Sequence, residues 1–300
     1  MTKHVLKGFF LLTLIFAGAQ AQASALEPKH VEIFGQKIYY LEEGAASNPA
    51  VILLHGLGGD MSQWAATVPA LAGKYHVYVP DQVGFGKSDK PITNYRVAML
   101  VEFLDVFCRK LGVQKATVVG NSLGGWTAAA FALAHPEKVE KLVLVDAAGY
   151  TPKRWGGPEM TREVLAGLNP STTADLKRLL SLVLYNKAIL TDQFIEIALT
   201  NKLKRGDGYT INSFIESILR GEDFLDGKVK AIKAPTLVIW GKDDGLTPLP
   251  ISAAFVEDIH GAQLVVIDNC GHAPQMEKPA EFNSGLLKFL GSAQTAQAPR

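Results

Sequence analysis

Sulfur is scarce in this chain: cysteine occurs only at Cys108 and Cys270 in 300 residues. Two thiols so far apart in sequence do not make a disulfide framework, so the class of small crosslinked secreted domains is excluded. Cys108 falls on the apolar face of a predicted helix and reads as a small buried hydrophobe. A charge excess is missing as well. The 30 Lys and Arg oppose 29 Asp and Glu, a formal net charge of +1, which argues against nucleic acid or an anionic membrane held by a basic face. That balance predicts a small, uncharged partner. No internal repeat is present, and the apolar run from Gly8 to Ala19 is too short to span a bilayer comfortably.

The flanks of that run explain it. Lys3 and Lys7 precede it and the small residues Ala21 and Ala23 follow it, which is the anatomy of a cleavable secretory signal. Residues 1–23 are therefore expected to be removed, leaving a periplasmic or secreted protein without a stable membrane span. The polar tail "GSAQTAQAPR" is expected to fray.

Hydrophobic residues make up 48% of the chain, ample for a large core. "HVEIFGQKIYYLEEG" reads as a hairpin around Gly35, and "AVILLHG", "YHVYVPD", "ATVVGN" and "KLVLVDA" read as short buried strands. Helical patterns separate them, the clearest over residues 94–111, where Val97, Leu100, Val101, Leu104, Phe107, Cys108 and Leu111 recur at helical spacing before Gly112. Buried strands alternating with helices predict a mostly parallel sheet covered on both faces, with its active site at the strands' carboxyl ends. From residue 150 to 228 the pattern is helical only, and "APTLVIWG" then resumes the alternation. Such a block is expected to form a cap over a core built from residues 24–149 and 229–300, its apolar residues Trp155, Leu184, Tyr185 and Phe194 facing a pocket.

Chemistry concentrates in "GNSLGG". Gly120-x-Ser122-x-Gly124 lies between a predicted strand and a predicted helix, where a strained turn would display the Ser122 hydroxyl and only small residues fit two positions away. Of the seven histidines, His272 alone follows a strand by a short loop toward that edge, which makes it the candidate base. An orienting acid could come from Asp146, Asp243 or Asp244, all of which satisfy the order Ser, Asp, His. The loop "HGLGGD" supplies an oxyanion site, with the backbone amides of Leu57 and Leu123 as expected donors. His55 in that loop and Asp81 in "VPDQVGFGKSD" read as structural.

These pieces together resemble the α/β-hydrolase superfamily: "HGLGG" (55–59), "DQVGFGKSD" (81–89), "GNSLGGW" (120–126), "WGKDDGLTP" (240–248) and "GHAPQMEKPAEFN" (271–283). The resemblance covers nearly all of the expected mature chain. It implies an α/β-hydrolase fold with an inserted cap and places the acid at the end of a G-x-x-D pattern, on Asp244. Epoxide hydrolases and haloalkane dehalogenases share the "GFGKSD" segment but use an Asp nucleophile, and Ser122 argues against both. The cap segment "LYNKAILTDQFIEIALTNKL" is similar to that of C–C bond hydrolases acting on aromatic ring-cleavage products. Those enzymes usually carry a Trp directly after the catalytic His, where this chain has Ala273, and an Arg in the cap segment corresponding to Ile197–Leu199. Cofactor-free haloperoxidase-like members share the triad too.

The function expected from the sequence is an exported carboxylesterase or lipase-like serine hydrolase acting on a small uncharged ester. Ser122 attacks, His272 shuttles the proton, Asp244 orients His272, and the Leu57 and Leu123 amides hold the oxyanion, with no metal or organic cofactor required. The alternatives are C–C bond hydrolysis of ring-cleavage products, or a non-catalytic binding protein on the same scaffold.

Overall fold

The computed structural model describes residues 27–292, so the expected leader and most of the polar tail lie outside the described residues. Strands β1 (Lys29–Ile33) and β2 (Gln36–Glu43) form the expected hairpin. Its turn residues Phe34 and Gly35 both have positive φ, 50° and 74°, the geometry that follows the twist of a tight hairpin. After β3 (Ala50–Leu54) and β4 (His76–Pro80) come helix α1 (Val97–Lys110), β5 (Ala116–Asn121), α2 (Leu123–Ala134) and β6 (Val139–Val145). Three longer helices follow without a strand: α3 (Thr173–Val183), α4 (Asp192–Arg205) and α5 (Gly208–Leu219). The chain then returns through β7 (Thr236–Gly241), α6 (Pro250–Asp258), β8 (Gln263–Ile267) and α7 (Pro279–Gly291).

The eight strands make one sheet in the order β1-β2-β4-β3-β5-β6-β7-β8. Only β2 runs against its neighbours β1 and β4; the other pairs are parallel. This is the mostly parallel, doubly covered sheet that the strand pattern predicted, the α/β-hydrolase architecture. Alternation along β3 sends Ile52 and Leu54 into the core on one face and Val51 and Leu53 into the core on the other. Each such side chain contributes about 1.5–3 kcal/mol by leaving water. Both cysteines are buried and free, so no disulfide joins them, and burial pushes the Cys108 thiol up to about 12.

Helix α1 begins three residues later than its apolar spacing predicted. Arg96 stays extended because Asp223, from the segment after α5, takes its guanidinium at 2.9 Å and also accepts the Ala98 N–H at 2.9 Å. A carboxylate brought from another part of the fold thus caps the helix.

The join of β5 and α2 is the tightest point of the structure. A Cβ on Gly120 would lie 2.1 Å from the Gly124 carbonyl oxygen, and one on Gly124 would lie 2.3 Å from that of Leu54. Both obstacles are backbone and cannot swing aside. Gly124→Ala is therefore expected to destabilise the protein by about 3 kcal/mol or more. Urea unfolding measures this, and a loss below about 1 kcal/mol would show that the elbow relaxes.

Candidate active site

Between those glycines Ser122 has φ 56° and ψ −117°, outside the regions an L-residue favours. Strain of this kind costs about 1–3 kcal/mol and is held only by surrounding packing. It turns the side chain out of the sheet edge into a cleft of about 1640 Å³ under the helical block. His272, Leu57 and Leu123 line the same cleft. A Cβ on Gly56 would come within 3.2 Å of the Ser122 Cβ, which fixes the "HGLGG" loop beside the hydroxyl. Leu123 opens α2, and the first N–H groups of a helix have no acceptor within it.

His272 is 5% exposed. Its Nδ1 lies 2.7 Å from Asp244 Oδ2 and 3.1 Å from the Thr247 hydroxyl. The carboxylate accepts, so Nδ1 carries the proton and Nε2 presents a lone pair. Nε2 is buried and has no hydrogen-bond partner among the described residues, nor is a bond to the Ser122 hydroxyl formed. Such contacts commonly tighten only when substrate is bound.

The three candidate acids separate cleanly. Asp243 is exposed to solvent. Asp244 is buried, its Oδ1 accepting the N–H groups of Leu246 and Thr247 at 2.7 and 3.0 Å, and its Oδ2 accepting the Thr247 hydroxyl at 2.7 Å and His272. Burial alone raises a carboxyl pKa; here the imidazole and the Thr247 donors outweigh it and hold Asp244 below its ordinary value. Asp146 is fully buried at a left-handed φ of 42°, its Oδ1 accepting the Gly241 N–H at 2.8 Å. Burial first, and then repulsion from Asp244, push its pKa well above the carboxylate range. The two carboxyls are thus pushed in opposite directions, Asp244 toward its charged form and Asp146 toward its neutral one. Polar atoms of Asp146, Asp244 and His272 lie within 4.8 Å of one another. With Asp244 and His272 Nδ1 already spent on each other, this grouping is a hydrogen-bond network and not a cation cradle.

His55 closes in on itself: Nδ1 donates to the Gly56 carbonyl at 2.8 Å and Nε2 accepts the Gln82 N–H at 3.0 Å, so it clamps two loops. Asp81 accepts the Met61 and Lys87 N–H groups, each at 2.7 Å, and braces its turn. Three contributors lay outside the sequence reading. Thr247 ties Asp244 to His272, and its hydroxyl oxygen also lies 3.0 Å from the Asp146 carbonyl oxygen. The D-x-x-T spacing of an Asx turn was the available signal. Asn121 donates to the His272 carbonyl at 3.0 Å, and Glu277 accepts the Gly271 and Tyr185 N–H groups at 2.9 and 2.8 Å. Nothing local in the sequence marks those long-range contacts. The helical block supplies the cleft's roof, with Trp155, Leu184, Tyr185 and Phe194 all on its lining.

Residues 49–279 match the family model for the alpha/beta hydrolase fold. A 2-hydroxy-6-oxononadienedioate/2-hydroxy-6-oxononatrienedioate hydrolase of Paraburkholderia phymatum is 36% identical over 265 residues, covering 85% of this chain and 91% of that protein. Among solved structures, a variant of the meta-cleavage product hydrolase from Pseudomonas fluorescens IP01 superposes with a TM-score of 0.78 at 30% identity, covering 88% of this chain and 97% of that one. A membrane phospholipase A, a bacterial virulence factor, superposes at 0.76 with 29% identity over 88% and 86%. The relatives in sequence overturn the expectation of a carboxylesterase or lipase-like enzyme, since the substrate in their name contains ketone and acid groups but no ester. The reason lies in what the motifs encode: a displayed Ser, a His, an Asp and an oxyanion loop serve attack on any carbonyl, whether the bond broken is C–O or C–C.

The raised pKa of Asp146 has a stability signature. Its raised folded-state pKa means that its contribution is complete below about pH 3.9, the unfolded value, and is lost as pH rises toward the folded value. Relative to Asp146→Asn, the wild type is expected to lose up to about 1.4 kcal/mol per pH unit from pH 4 upward. Chemical unfolding of both proteins from pH 4 to 8 checks this; parallel curves would mean that Asp146 is ionised in the folded state.

Proposed function

This chain belongs to the α/β-hydrolase family and is a hydrolase, and from that premise we propose that it cleaves a carbon–carbon bond in a 2-hydroxy-6-oxo-dienoate of the aromatic ring-cleavage class. The observation carrying the proposal is the 36% identity, across 85% of the chain, with a hydrolase named for such a substrate. The disposition of Ser122, His272 and Asp244 supports it.

In this reading His272 Nε2 takes the Ser122 proton as Oγ adds to the C6 ketone, and the Leu57 and Leu123 amides hold the resulting oxyanion. With C2 in its keto form, the electron pair of the C5–C6 bond leaves to C5 and delocalises to the C2 oxygen, so the carbon leaving group is an enolate. The proton held by His272 neutralises it. Water, activated by the same imidazole, then hydrolyses the acyl group from Ser122, and the hydroxyl ends on C6. Asp244 keeps Nδ1 protonated and stabilises the imidazolium through both halves of the cycle.

The nonadienedioate distinguishes the possibilities. Wild-type protein is expected to convert it with one water into a five-carbon hydroxydienoate and a four-carbon diacid in equal amounts. Ser122→Ala is expected to lower turnover by about 10³-fold or more. Turnover of p-nitrophenyl esters with the dienedioate left intact would contradict the proposal.

A further inference from the structure

The oxyanion loop turns back on itself at Gly56. The Gly59 N–H donates to the Gly56 carbonyl at 3.1 Å, closing a turn in which Leu57 keeps a negative φ and Gly58 has φ 67°. That sign pattern is a type II turn with Leu57 and Gly58 at its central positions. His55 Nδ1 donates to the same carbonyl at 2.8 Å. The Gly56 carbonyl and the Leu57 N–H belong to one trans peptide unit, so they point in opposite directions. Two donors holding the carbonyl therefore keep the Leu57 N–H on the other side, and no backbone carbonyl among the described residues takes it up.

The peptide unit before it is held by a side chain. Gln63 Oε1 accepts the Gly56 N–H at 3.1 Å, and because that N–H can only donate, the oxygen of the carboxamide must face it. The carboxamide lies flat on Gly59: a Cβ there would come within 2.6 Å of Nε2, 2.8 Å of Cδ and 2.9 Å of Oε1. Gly59 has no positive φ, so the absent side chain serves by leaving room for Gln63. The backbone that carries Gln63 is fixed as well. It forms a short 3₁₀ turn, Met61–Trp64, in which Met61 and Trp64 are buried and the Met61 N–H donates to Asp81 Oδ1 at 2.7 Å. Gln63 itself lines the cleft. A buried amide left without an acceptor costs about 1–3 kcal/mol, enough to favour rotation of Gly56 once the carboxamide is gone. Gly56 packs on Ser122, a Cβ there coming within 3.2 Å of the Ser122 Cβ, so such a rotation shifts the donor against the nucleophile.

We propose that Gln63 is a positioning residue of the oxyanion site: through the Gly56 N–H it fixes the turn that presents the Leu57 amide to the developing charge, and it touches neither the substrate nor Ser122. This rests on the Leu57 amide being an oxyanion donor, as in the reading above, and not on which bond the enzyme breaks.

A fluorophosphonate probe reads the role without a substrate. Ser122 Oγ displaces fluoride from phosphorus, the hydroxyl proton passes to His272, and the phosphoryl oxygen occupies the oxyanion site. Saturation kinetics of labelling separate probe binding from the first-order rate of bond formation. Gln63→Leu is expected to lower that rate about 10- to 100-fold with probe binding within about 3-fold of wild type, since a misplacement of about 1 Å costs about 10²-fold. Leu57→Pro deletes the donor while suiting its place in the turn, where proline is favoured, and is expected to slow the step about 10²- to 10³-fold. In that background Gln63→Leu is expected to cost less than about 3-fold more, because no donor is left to position. Losses that multiply in the double variant, or a Gln63→Leu rate within about 3-fold of wild type, overturn the role. A Leu57→Pro rate near that of wild type overturns the donor assignment and the proposal with it. Should Leu57→Pro fail to fold, the single variant decides: a loss that falls on probe binding instead of the rate overturns the role. None of these rates depends on the nonadienedioate, so failure of the proposed C–C cleavage is a separate result.

Discussion

Burying a carboxylate against an imidazole is tolerated only if every oxygen keeps a partner, because an unpaired buried charge costs several kcal/mol. Asp244 meets that demand with four donors from two loops: two backbone amides, the Thr247 hydroxyl and His272 Nδ1. The raised pKa of Asp146 belongs to the same solution. Two charged carboxylates this close in a dry site would repel, so the deeper one is pushed toward its neutral form while the one facing His272 is held toward its charged form. The tautomer of His272, and with it the lone pair on Nε2, follows from that division.

The cap is tied to the same two loops. Leu182, in the last turn of α3, accepts the Gly245 N–H at 3.1 Å, beside the acid, and Val183 accepts the His272 N–H at 2.7 Å. Glu277 spans from Gly271 to Tyr185. A Cβ on Gly271 would lie 2.2 Å from the Val183 carbonyl, so the approach is close enough to require glycine. Cleft roof and catalytic loops are therefore positioned by one set of backbone contacts. Any movement of α3 away from the core would disturb the base and the acid together.

Much of this was legible in the chain. The mostly parallel, doubly covered sheet followed from alternation of apolar strands with helices, and Ser122 from the glycines its turn requires. His272 followed from its place after a strand. Choosing Asp244 over Asp146 needed the family pattern, because chain order fits both, and burial, which the sequence does not print, is what raises the pKa of Asp146. Thr247, Asn121 and Glu277 were hidden for a different reason: each acts through contacts that exist only once distant loops meet. The reaction class was misread because the triad specifies the attacking atom and not the bond that breaks.

The account depends most on Asp244 activating Ser122 through His272, and this can be measured without knowing the substrate. The rate at which a fluorophosphonate labels Ser122 reports the same proton transfer. Asp244→Asn is predicted to slow labelling about 10³- to 10⁴-fold, while Asp243→Asn and Asp146→Asn stay within about 10-fold of wild type. Labelling of Asp244→Asn at near wild-type rate, or a large loss confined to Asp146→Asn, would contradict it.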